Sequence, residues 1–317
     1  MKALVTGAAG FIGSHLSTKL VEDGADVVGL DCFTDYYPRW MKEQNLSGLV
    51  DKPRFSLVEA PLQAVDFDRL LGGVTHVFHL AAQAGVRKSW GQDFGTYITQ
   101  NIEATQRLLE AVKGRSIERL VYASSSSVYG DDVVIPMRED AVPRPVSPYG
   151  VTKLAAEHLC TLYHANYGVP AVSLRYFTVY GPRQRPDMGF HRFLRAAHLG
   201  EPIALYGDGE QTRDFTFVAD IVAATIAAGL RGRPGGVYNI GGGSRVSINH
   251  VLALVEQVVG RPLVVRREAA QKGDMRDTFA DTTRARTELD FAPSKSLESG
   301  LSAENEWLAG LVAASKS

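Results

Sequence analysis

Residues 2–13 read KALVTGAAGFIG, a short apolar run followed directly by a loop with glycines at positions 7, 10 and 13. The run has the composition of a buried strand, and a helical pattern follows the loop. A second apolar run at 26–30 ends at Asp31. Glycines at this spacing allow a tight turn, a close approach of backbone to a pyrophosphate, and close helix packing. The order of strand, loop, helix, strand and acid predicts a dinucleotide-binding βαβ unit, whereas the loop alone fits any strand-to-helix turn.

Asp31 indicates which dinucleotide to expect. It lies eighteen residues after Gly13, at the position from which an acidic side chain bonds the adenosine ribose. Because a carboxylate there repels a 2′-phosphate, the sequence favours NAD over NADP.

The alternation of strand and helix patterns continues to Arg175 and predicts an α/β fold with a Rossmann-type, doubly wound parallel sheet. His79 lies within an apolar strand and is expected in the core rather than in catalysis. After Arg175 aromatic residues and turns indicate a smaller C-terminal substrate domain, in which 261–278 is predicted to be rich in loops. The predicted strands are 2–6, 26–30, 54–58, 76–80, 120–123 and 171–175, and the predicted helices lie around 64–71, 95–113 and 149–167.

The predicted domain boundary is discontinuous. Residues 1–175, with returning segments at about 214–240, form the expected NAD-binding domain. Residues 176–213 and 241–317 form the expected substrate domain.

The bulk composition excludes several classes of protein. The 317 residues are 45% hydrophobic, and 34 basic against 35 acidic side chains leave a formal charge of −1. We therefore expect neither nucleic acid nor a membrane surface as a partner. Cys32 and Cys160 are too few for a disulfide framework or a metal cluster, so no metal is expected. The N-terminal residues lack the pattern of a signal peptide, and a cytoplasmic location is the expectation.

Two short stretches carry the candidate catalytic residues. Residues 123–130 read ASSSSVYG at the end of a predicted strand, and 147–153 read SPYGVTK at the start of a helix. Tyr149 and Lys153 are four residues apart and therefore share one helix face. A nearby cation lowers the pKa of a tyrosine, which makes Tyr149 a candidate base that a serine hydroxyl can assist. The same spacing also occurs in ordinary exposed helix pairs.

Taken together, these motifs resemble the extended short-chain dehydrogenase/reductase family, which includes nucleotide-sugar epimerases and dehydratases. The resemblance spans nearly the whole chain. It implies NAD in the N-terminal domain, a nucleoside-diphosphate sugar in the C-terminal domain, and a homodimer formed through two helices, here around 95–113 and 149–167. The matching motifs are TGAAGFIG at 6–13, HLAA at 79–82, SSSSVYG at 124–130, YGVTK at 149–153, RYFTVYGP at 175–182, GDGEQTRDF at 207–215 and NIGGG at 239–243.

The resemblance assigns roles residue by residue. Tyr149 matches the base, Lys153 its activating cation and Ser125 the catalytic Ser/Thr. Many relatives carry an acid after the third strand for the adenine amino group, but this chain has Leu62 in the segment 59–62. Leu62 can still pack on adenine. The implied NAD contacts are Gly7, Gly10, Phe11, Ile12, Gly13, Asp31, Leu62, Leu80, Ala81, Ala82, Asn101, Tyr149, Lys153 and Tyr176.

Ser126 and Ser127 narrow the reaction that the resemblance implies. Sugar 4,6-dehydratases carry Asp-Glu at these positions, and UDP-glucuronate decarboxylases typically carry a glutamate just before the VYG. Without an extra proton-transfer carboxylate, the expected chemistry is oxidation and reduction at C4 of the sugar, which is epimerisation. Alternatively, these serines only complete a strand turn.

The same positions suggest the sugar. Hydroxyls donate to a carboxylate, whereas a glutamate would repel it. Together with Thr178 after RYF and the cations of GPRQRPDM at 181–188, the pattern looks most like the UDP-glucuronate 4-epimerases. The alternatives are a neutral UDP-hexose as in UDP-galactose epimerases, a UDP-glucuronate decarboxylase, and a silent NAD-binding scaffold. The expected substrate contacts are Arg87, Ser125, Ser126, Ser127, Thr178, Arg185, Gln211, Arg213, Asp274 and Arg276.

Overall fold

The computed structural model describes residues 1–269 and 271–314, and a seven-stranded parallel sheet lies at its centre. The sheet order reverses next to the first strand, which creates the crevice where open α/β sheets bind ligands. In spatial order the strands are β3 (Phe55–Glu59), β2 (Asp26–Asp31), β1 (Lys2–Thr6), β4 (His76–His79), β5 (Arg119–Ser125), β6 (Ala171–Tyr176) and β10 (Val237–Ile240). The Rossmann-type prediction is confirmed.

The inner strands of the sheet are largely apolar because both of their faces are buried, whereas the edge strand β3 is mostly exposed. Ala3 and Val5 of β1 pack on one face with α1 (Phe11–Glu22) and α8 (Val218–Arg231). Leu4, between them, points to the opposite face, which α5 (Ala104–Val112) and α6 (Pro148–Tyr167) cover. Each Å² of apolar surface that is removed from water contributes about 25 cal/mol to stability. Because both faces of the sheet are covered in this way, the sheet is a rigid support for the loops at its edge.

Local sequence signals explain the limits of two helices. Ser147 begins α6 by accepting a hydrogen bond from the Gly150 amide at 3.1 Å, and Gly168 ends it in the left-handed conformation at φ 69°. The predicted helix at 64–71 is shorter, Phe67–Leu70, because the Asp66 carboxylate accepts the Asp68 and Arg69 amides and so begins the helix later.

The predicted helix at 95–113 is divided into three parts. It begins as α4 (Phe94–Tyr97), widens into a π-helical segment at Ile98–Glu103, and continues as α5. Such widened turns occur frequently at functional sites, and this one contains Asn101.

The C-terminal part adds two small sheets beside the crevice. One contains β7 (Val179–Tyr180), β9 (Thr212–Phe217) and β11 (Ser244–Ser247). The other pairs β8 (Ile203–Tyr206) with β12 (Val265–Glu268), so the stretch predicted as loop-rich contains a strand that its exposed charged residues conceal. The helices here are α7 (Gly189–Leu199), α9 (Ile248–Val259), α10 (Thr283–Leu289) and α11 (Leu297–Ala314), and α2 (Arg39–Leu46) follows β2.

The returning segment divides at Phe217. Residues 214–217 belong to the small sheet with β7 and β11, contrary to the expectation that they return to the main sheet. The segment continues as α8, which packs on the main sheet, and β10 extends that sheet beside β6. Within the described part of the chain, every helix is too short or too polar to cross a membrane.

Candidate active site

A cavity opens at the carboxyl ends of β1, β4 and β5, between the glycine-rich loop and the start of α6. Its wall includes nearly all of the predicted cofactor residues. These are Gly7, Gly10, Phe11, Ile12, Gly13, Asp31, Leu62, Leu80, Ala81, Ala82, Tyr149, Lys153 and Tyr176.

The glycine loop has the shape of a dinucleotide cradle. Gly7 has φ 73°, and a Cβ atom there would lie 2.9 Å from the Ala81 backbone nitrogen. At Gly13 a Cβ atom would lie 2.1 Å from the Gly7 carbonyl oxygen, so the helix and the loop approach each other too closely for any side chain. The bare backbone at the start of α1 is suited to a pyrophosphate.

Asp31 lies at the end of β2 as predicted, and its carboxylate is already well bonded. It accepts hydrogen bonds from the Ala9 amide at 3.1 Å and the Phe33 amide at 2.8 Å. Lys42 Nζ lies 3.7 Å from this carboxylate, and both side chains are buried. The sequence analysis missed Lys42, since no motif places this α2 residue against the end of β2.

Asn101 departs from the other predicted NAD contacts because it lies behind the cavity wall. Its side-chain oxygen accepts from the Gln83 amide at 2.7 Å, and its nitrogen donates to the Gln83 carbonyl and the Thr152 hydroxyl. The π-helical segment therefore holds the loop after β4 rather than presenting Asn101 to the cavity.

His79 is a buried core residue, as predicted. Its Nδ1 lies 2.7 Å from the Thr6 hydroxyl and its Nε2 lies 2.9 Å from the Thr105 hydroxyl. Thr6 also accepts a hydrogen bond from the Ala81 amide, so His79 supports the cavity from behind. Burial lowers the pKa of His79 to about 3.

The pKa of Tyr149 is influenced by burial and by side chains from other elements. Burial raises the pKa of Tyr149, and a hydrogen bond with the Ser125 hydroxyl and the charge of Arg185 partly offset this effect. Arg185, from the GPRQRPDM segment, is therefore a second cation near the phenol, in addition to Lys153. Tyr97 packs edge-on against the Tyr149 ring with a centroid separation of 6.3 Å.

Lys153 is buried beside the Tyr122 ring, with its Nζ atom 4.6 Å from the ring centroid. Burial lowers the pKa of Lys153 to about 7, although Cys160 and Glu157 act in the opposite direction. An ammonium in this environment is strongly stabilised by any polar or anionic group that enters the cavity.

The four serines after β5 have different environments. Ser124 donates a 2.6 Å hydrogen bond to the buried Glu157 carboxylate, which also pairs with Arg175 at 2.6 Å. Ser125 accepts the Ser127 amide at 3.1 Å, and its hydroxyl lowers the pKa of the neighbouring Tyr149 phenol. No carboxylate stands at positions 124–127, so these four positions add no acidic side chain beside the phenol.

Arg185 is the one predicted substrate residue in the cavity wall. Its Nε and Nη2 atoms each lie 3.0 Å from the carboxylate of Asp187, and the Tyr36 hydroxyl donates to the same carboxylate at 3.2 Å. Tyr36 also lines the cavity. The sequence analysis missed both Asp187 and Tyr36. For Asp187, the adjacency to Arg185 within RPD was the available signal.

The predicted nucleotide contacts form a second cluster outside that wall. Arg87 donates to Asp274 at 2.7 Å and stacks on the Tyr206 ring at 4.3 Å. Arg213 donates to the Thr212 and Arg276 carbonyls, each at 2.9 Å, and burial lowers its pKa. Gln211 donates to the Tyr206 carbonyl at 2.8 Å. Arg276 is exposed and pairs with Asp208 at 3.3 Å.

A model of the NAD dependent epimerase/dehydratase family matches residues 3–241. The chain belongs to this family. It is 44% identical over 315 residues to the Bacillus subtilis protein named uncharacterized UDP-glucose epimerase YtcB, covering 98% of this chain and 99% of that relative. It is 38% identical to a UDP-glucuronate 4-epimerase of Thermodesulfobacterium geofontis, covering 96% of this chain and 95% of that relative.

The fold of this chain closely matches that of one crystal structure. It is the UDP-glucuronic acid 4-epimerase of Bacillus cereus in complex with UDP-glucuronic acid and NAD. The match has a TM-score of 0.95 and 44% identity, and it covers 98% of this chain and all of the other.

Proposed function

We propose that this protein is an NAD-dependent isomerase, a UDP-sugar 4-epimerase that interconverts UDP-glucuronate and UDP-galacturonate. The observation that carries the proposal is that Tyr149 and Lys153 line a dinucleotide-shaped cavity beside a row of serines, with no carboxylate at positions 124–127. This set of groups supports proton transfer at one alcohol and lacks the additional acid and base that an elimination needs.

The residues present fit NAD. The side-chain-free loop of Gly7 and Gly13 leaves room for a pyrophosphate, and the Asp31 carboxylate disfavours a 2′-phosphate. Leu62, Ala81 and Tyr176 supply apolar wall for the two ring systems. When bound, NAD supplies a hydride acceptor for the sugar C4.

Tyr149 then acts as the base for the C4 hydroxyl. Ser125 holds the oxygen from which the proton leaves, and the charges of Lys153 and Arg185 stabilise the phenolate. After oxidation the 4-keto sugar turns about its diphosphate link, and Tyr149 returns the proton when the other face is reduced.

A uronate brings a hazard that the serines and Thr178 are suited to control. Its 4-keto form is a β-keto acid, which loses carbon dioxide when the breaking C5–C6 bond aligns with the carbonyl π system. We propose that the hydroxyls of Ser126, Ser127 and Thr178, with the Arg185 guanidinium, hold the carboxylate out of this alignment. Arg213 is proposed to bind the diphosphate, since its partly buried guanidinium has only backbone carbonyls as hydrogen-bond acceptors in the described chain. For the nucleotide, Arg87, Gln211, Asp274 and Arg276 are the remaining proposed contacts.

A neutral UDP-hexose is the second candidate substrate. Asp187 already neutralises Arg185, so the free cavity is less cationic than the sequence suggests. The name of the Bacillus subtilis relative is consistent with this alternative.

We also propose that two copies of the chain associate through α6 and the helical segments at 94–112, and that the protein works in the cytoplasm. Large apolar side chains are exposed on these helices, and such patches favour burial against a partner. They are Ile98, Val151, Leu162 and Tyr167.

Incubation with UDP-glucuronate, UDP-galactose and UDP-glucose, followed by separation of the products, tests the function. We expect UDP-galacturonate from UDP-glucuronate without added NAD. Carbon dioxide and UDP-xylose as the main products would instead indicate a decarboxylase. Conversion of only the neutral sugars would indicate a hexose epimerase, and conversion of none would contradict the enzymatic proposal.

A further inference from the structure

Arg185 uses one edge of its guanidinium within the protein. Its Nε and Nη2 atoms bond the two oxygens of Asp187, each at 3.0 Å. Among the described residues, Nη1 has no hydrogen-bond partner, and the Arg185 side chain lines the cavity. A planar guanidinium held along one edge has its other edge fixed in direction.

Tyr36 anchors the carboxylate of this pair from the other half of the molecule. Its hydroxyl donates to Asp187 Oδ2 at 3.2 Å across 151 residues of sequence. A Cβ atom on Gly85 would lie 2.1 Å from the Tyr36 hydroxyl oxygen, so that oxygen rests against bare backbone. The loop after β2 and the loop after β7 are thereby joined over the cavity.

The pair also lies close enough to Tyr149 to influence its proton. Arg185 lowers the pKa of Tyr149 and Asp187 raises it, while the Ser125 hydroxyl lowers it. The other ionisable groups around the phenol are Tyr97 from α4, Tyr122 from β5 and Lys153 from its own helix. Asp187 is the anion in this set.

We propose that Asp187, anchored by Tyr36, is a positioning residue that fixes the Arg185 guanidinium between the reacting phenol and the acidic group of the sugar. The inference rests on the proposed function, because it assigns the free edge of Arg185 to a substrate carboxylate. It extends that function by naming the residues that decide whether an acidic sugar is preferred over a neutral one.

Positioning and simple charge balance predict opposite results when Asp187 loses its charge. If Asp187 only neutralised Arg185, Asp187→Asn would leave a more cationic site and strengthen the binding of UDP-glucuronate. If Asp187 orients Arg185, the same change releases the guanidinium and weakens that binding. The substitution removes charge while keeping the size and one acceptor oxygen.

The experiment compares wild-type protein with Asp187→Asn and Tyr36→Phe, each loaded with NAD. Calorimetry measures the Kd of UDP-glucuronate and of UDP-glucose, and kcat/KM is followed against pH for the conversion of UDP-glucuronate and of UDP-galactose. Asp140→Asn is the matched control, because Arg138 and Asp140 form the same bidentate Arg-x-Asp pair on an exposed loop away from the cavity. Far-UV circular dichroism establishes that each variant is folded.

For Asp187→Asn we expect the Kd of UDP-glucuronate to rise about tenfold, with that of UDP-glucose changed less than about twofold. The acidic limb of kcat/KM should move to higher pH, because the released guanidinium no longer lowers the pKa of Tyr149, and this effect is larger than the opposite effect of Asp187. Tyr36→Phe keeps both charges, so it should weaken UDP-glucuronate binding by a smaller factor without moving the limb.

Tighter UDP-glucuronate binding, equal loss for both sugars, or an acidic limb that moves to lower pH in Asp187→Asn would each overturn the inference. Failure of the proposed function is recognised separately. Wild-type protein that converts UDP-galactose but neither binds nor converts UDP-glucuronate would refute the uronate preference, while the position of the acidic limb would still decide the influence of Asp187 on Tyr149.

Discussion

The dinucleotide cradle and the sugar side of the cavity are built on different principles. The cradle consists of backbone and small side chains at the edge of a buried sheet, and Gly13 approaches the Gly7 carbonyl too closely for a Cβ atom. The sugar side consists of arginines that already have carboxylate partners, as in the pairs Arg87–Asp274 and Arg185–Asp187. The first surface is complete before a ligand arrives, whereas on the second a ligand must share or replace protein partners.

This difference has an energetic basis. Core packing resists displacement, so a substitution in the cradle has little room to relax. Partly exposed ion pairs contribute only about 0–1 kcal/mol, so an acidic ligand can exchange with them at small cost. Arg87 and Asp274 are 41% and 30% exposed, which places their pair in this class. Affinity for NAD should therefore depend on shape, and affinity for the sugar nucleotide on charge.

The largest effect should come from a methyl group in the cradle. We expect Gly13→Ala to lower NAD affinity by more than about 100-fold, because the new Cβ atom would meet the Gly7 carbonyl oxygen at 2.1 Å. The NAD content of the purified protein and a titration with NADH fluorescence measure this loss. Gly310→Ala is the matched control, since a Cβ atom on this α11 glycine meets nothing within 4 Å. Normal NAD binding by Gly13→Ala would mean that the cradle is not preformed.

On the sugar side, Arg213→Ala should raise the KM of the UDP-sugar roughly 10- to 100-fold with little change in kcat. Arg213 is a partly buried cation whose hydrogen bonds go to backbone carbonyls, so its guanidinium carries no carboxylate hydrogen bond that the proposed diphosphate would have to displace. Initial rates and inhibition by UDP measure the effect. Arg266→Ala, an exposed arginine in β12, should leave both constants near wild type. A loss confined to kcat would assign Arg213 to the reaction rather than to nucleotide binding.

His79, which supports the cradle from behind, should make the stability of the protein depend on pH. Its pKa is about 3 in the folded protein and 6.5 ordinarily, so between these values the unfolded chain takes up a proton that the native state refuses. His79 should therefore lower the free energy of unfolding by about 1.4 kcal/mol for each pH unit below 6.5. Urea denaturation at pH 7, 6 and 5 should show a shallower pH dependence for His79→Gln than for wild type. If the free energy of unfolding changed with pH equally in both proteins, His79 would make no contribution to the pH dependence of stability.

The smallest effect should be on the ratio of pentose to uronate products formed from UDP-glucuronate. We expect Thr178→Ala to raise the pentose share of the products from UDP-glucuronate several-fold, because one donor to the carboxylate is removed. Thr178→Ser keeps the hydroxyl and should retain the wild-type ratio. Product ratios and UDP-glucuronate affinity are measured together. If neither changes in Thr178→Ala, the hydroxyl has no role in holding the carboxylate.

The regular parts of the protein were predictable because their signals are local. The apolar run at 2–6 and the glycines at 7, 10 and 13 indicate a strand and a phosphate loop within a dozen residues. The widened turn around Asn101 was not predictable, since it depends on bonds to Gln83 and Thr152 from other elements. The strand Val265–Glu268 was missed because its sequence, VRRE, is mostly charged and all four residues are exposed, so it has no apolar alternation.

The amino-acid sequence by itself was sufficient to predict the Rossmann sheet, the likeness to nucleotide-sugar epimerases, and the pair of Tyr149 and Lys153 on one helix face. Only the folded chain showed that Arg185 acts on the phenol, that Asp187 occupies this arginine, and that Tyr36 anchors both from 151 residues away. The physical reason is that the periodic patterns of helices and strands involve residues that are close together in the sequence. Electrostatic coupling depends on distance in space and on burial, which the packing of separate loops creates.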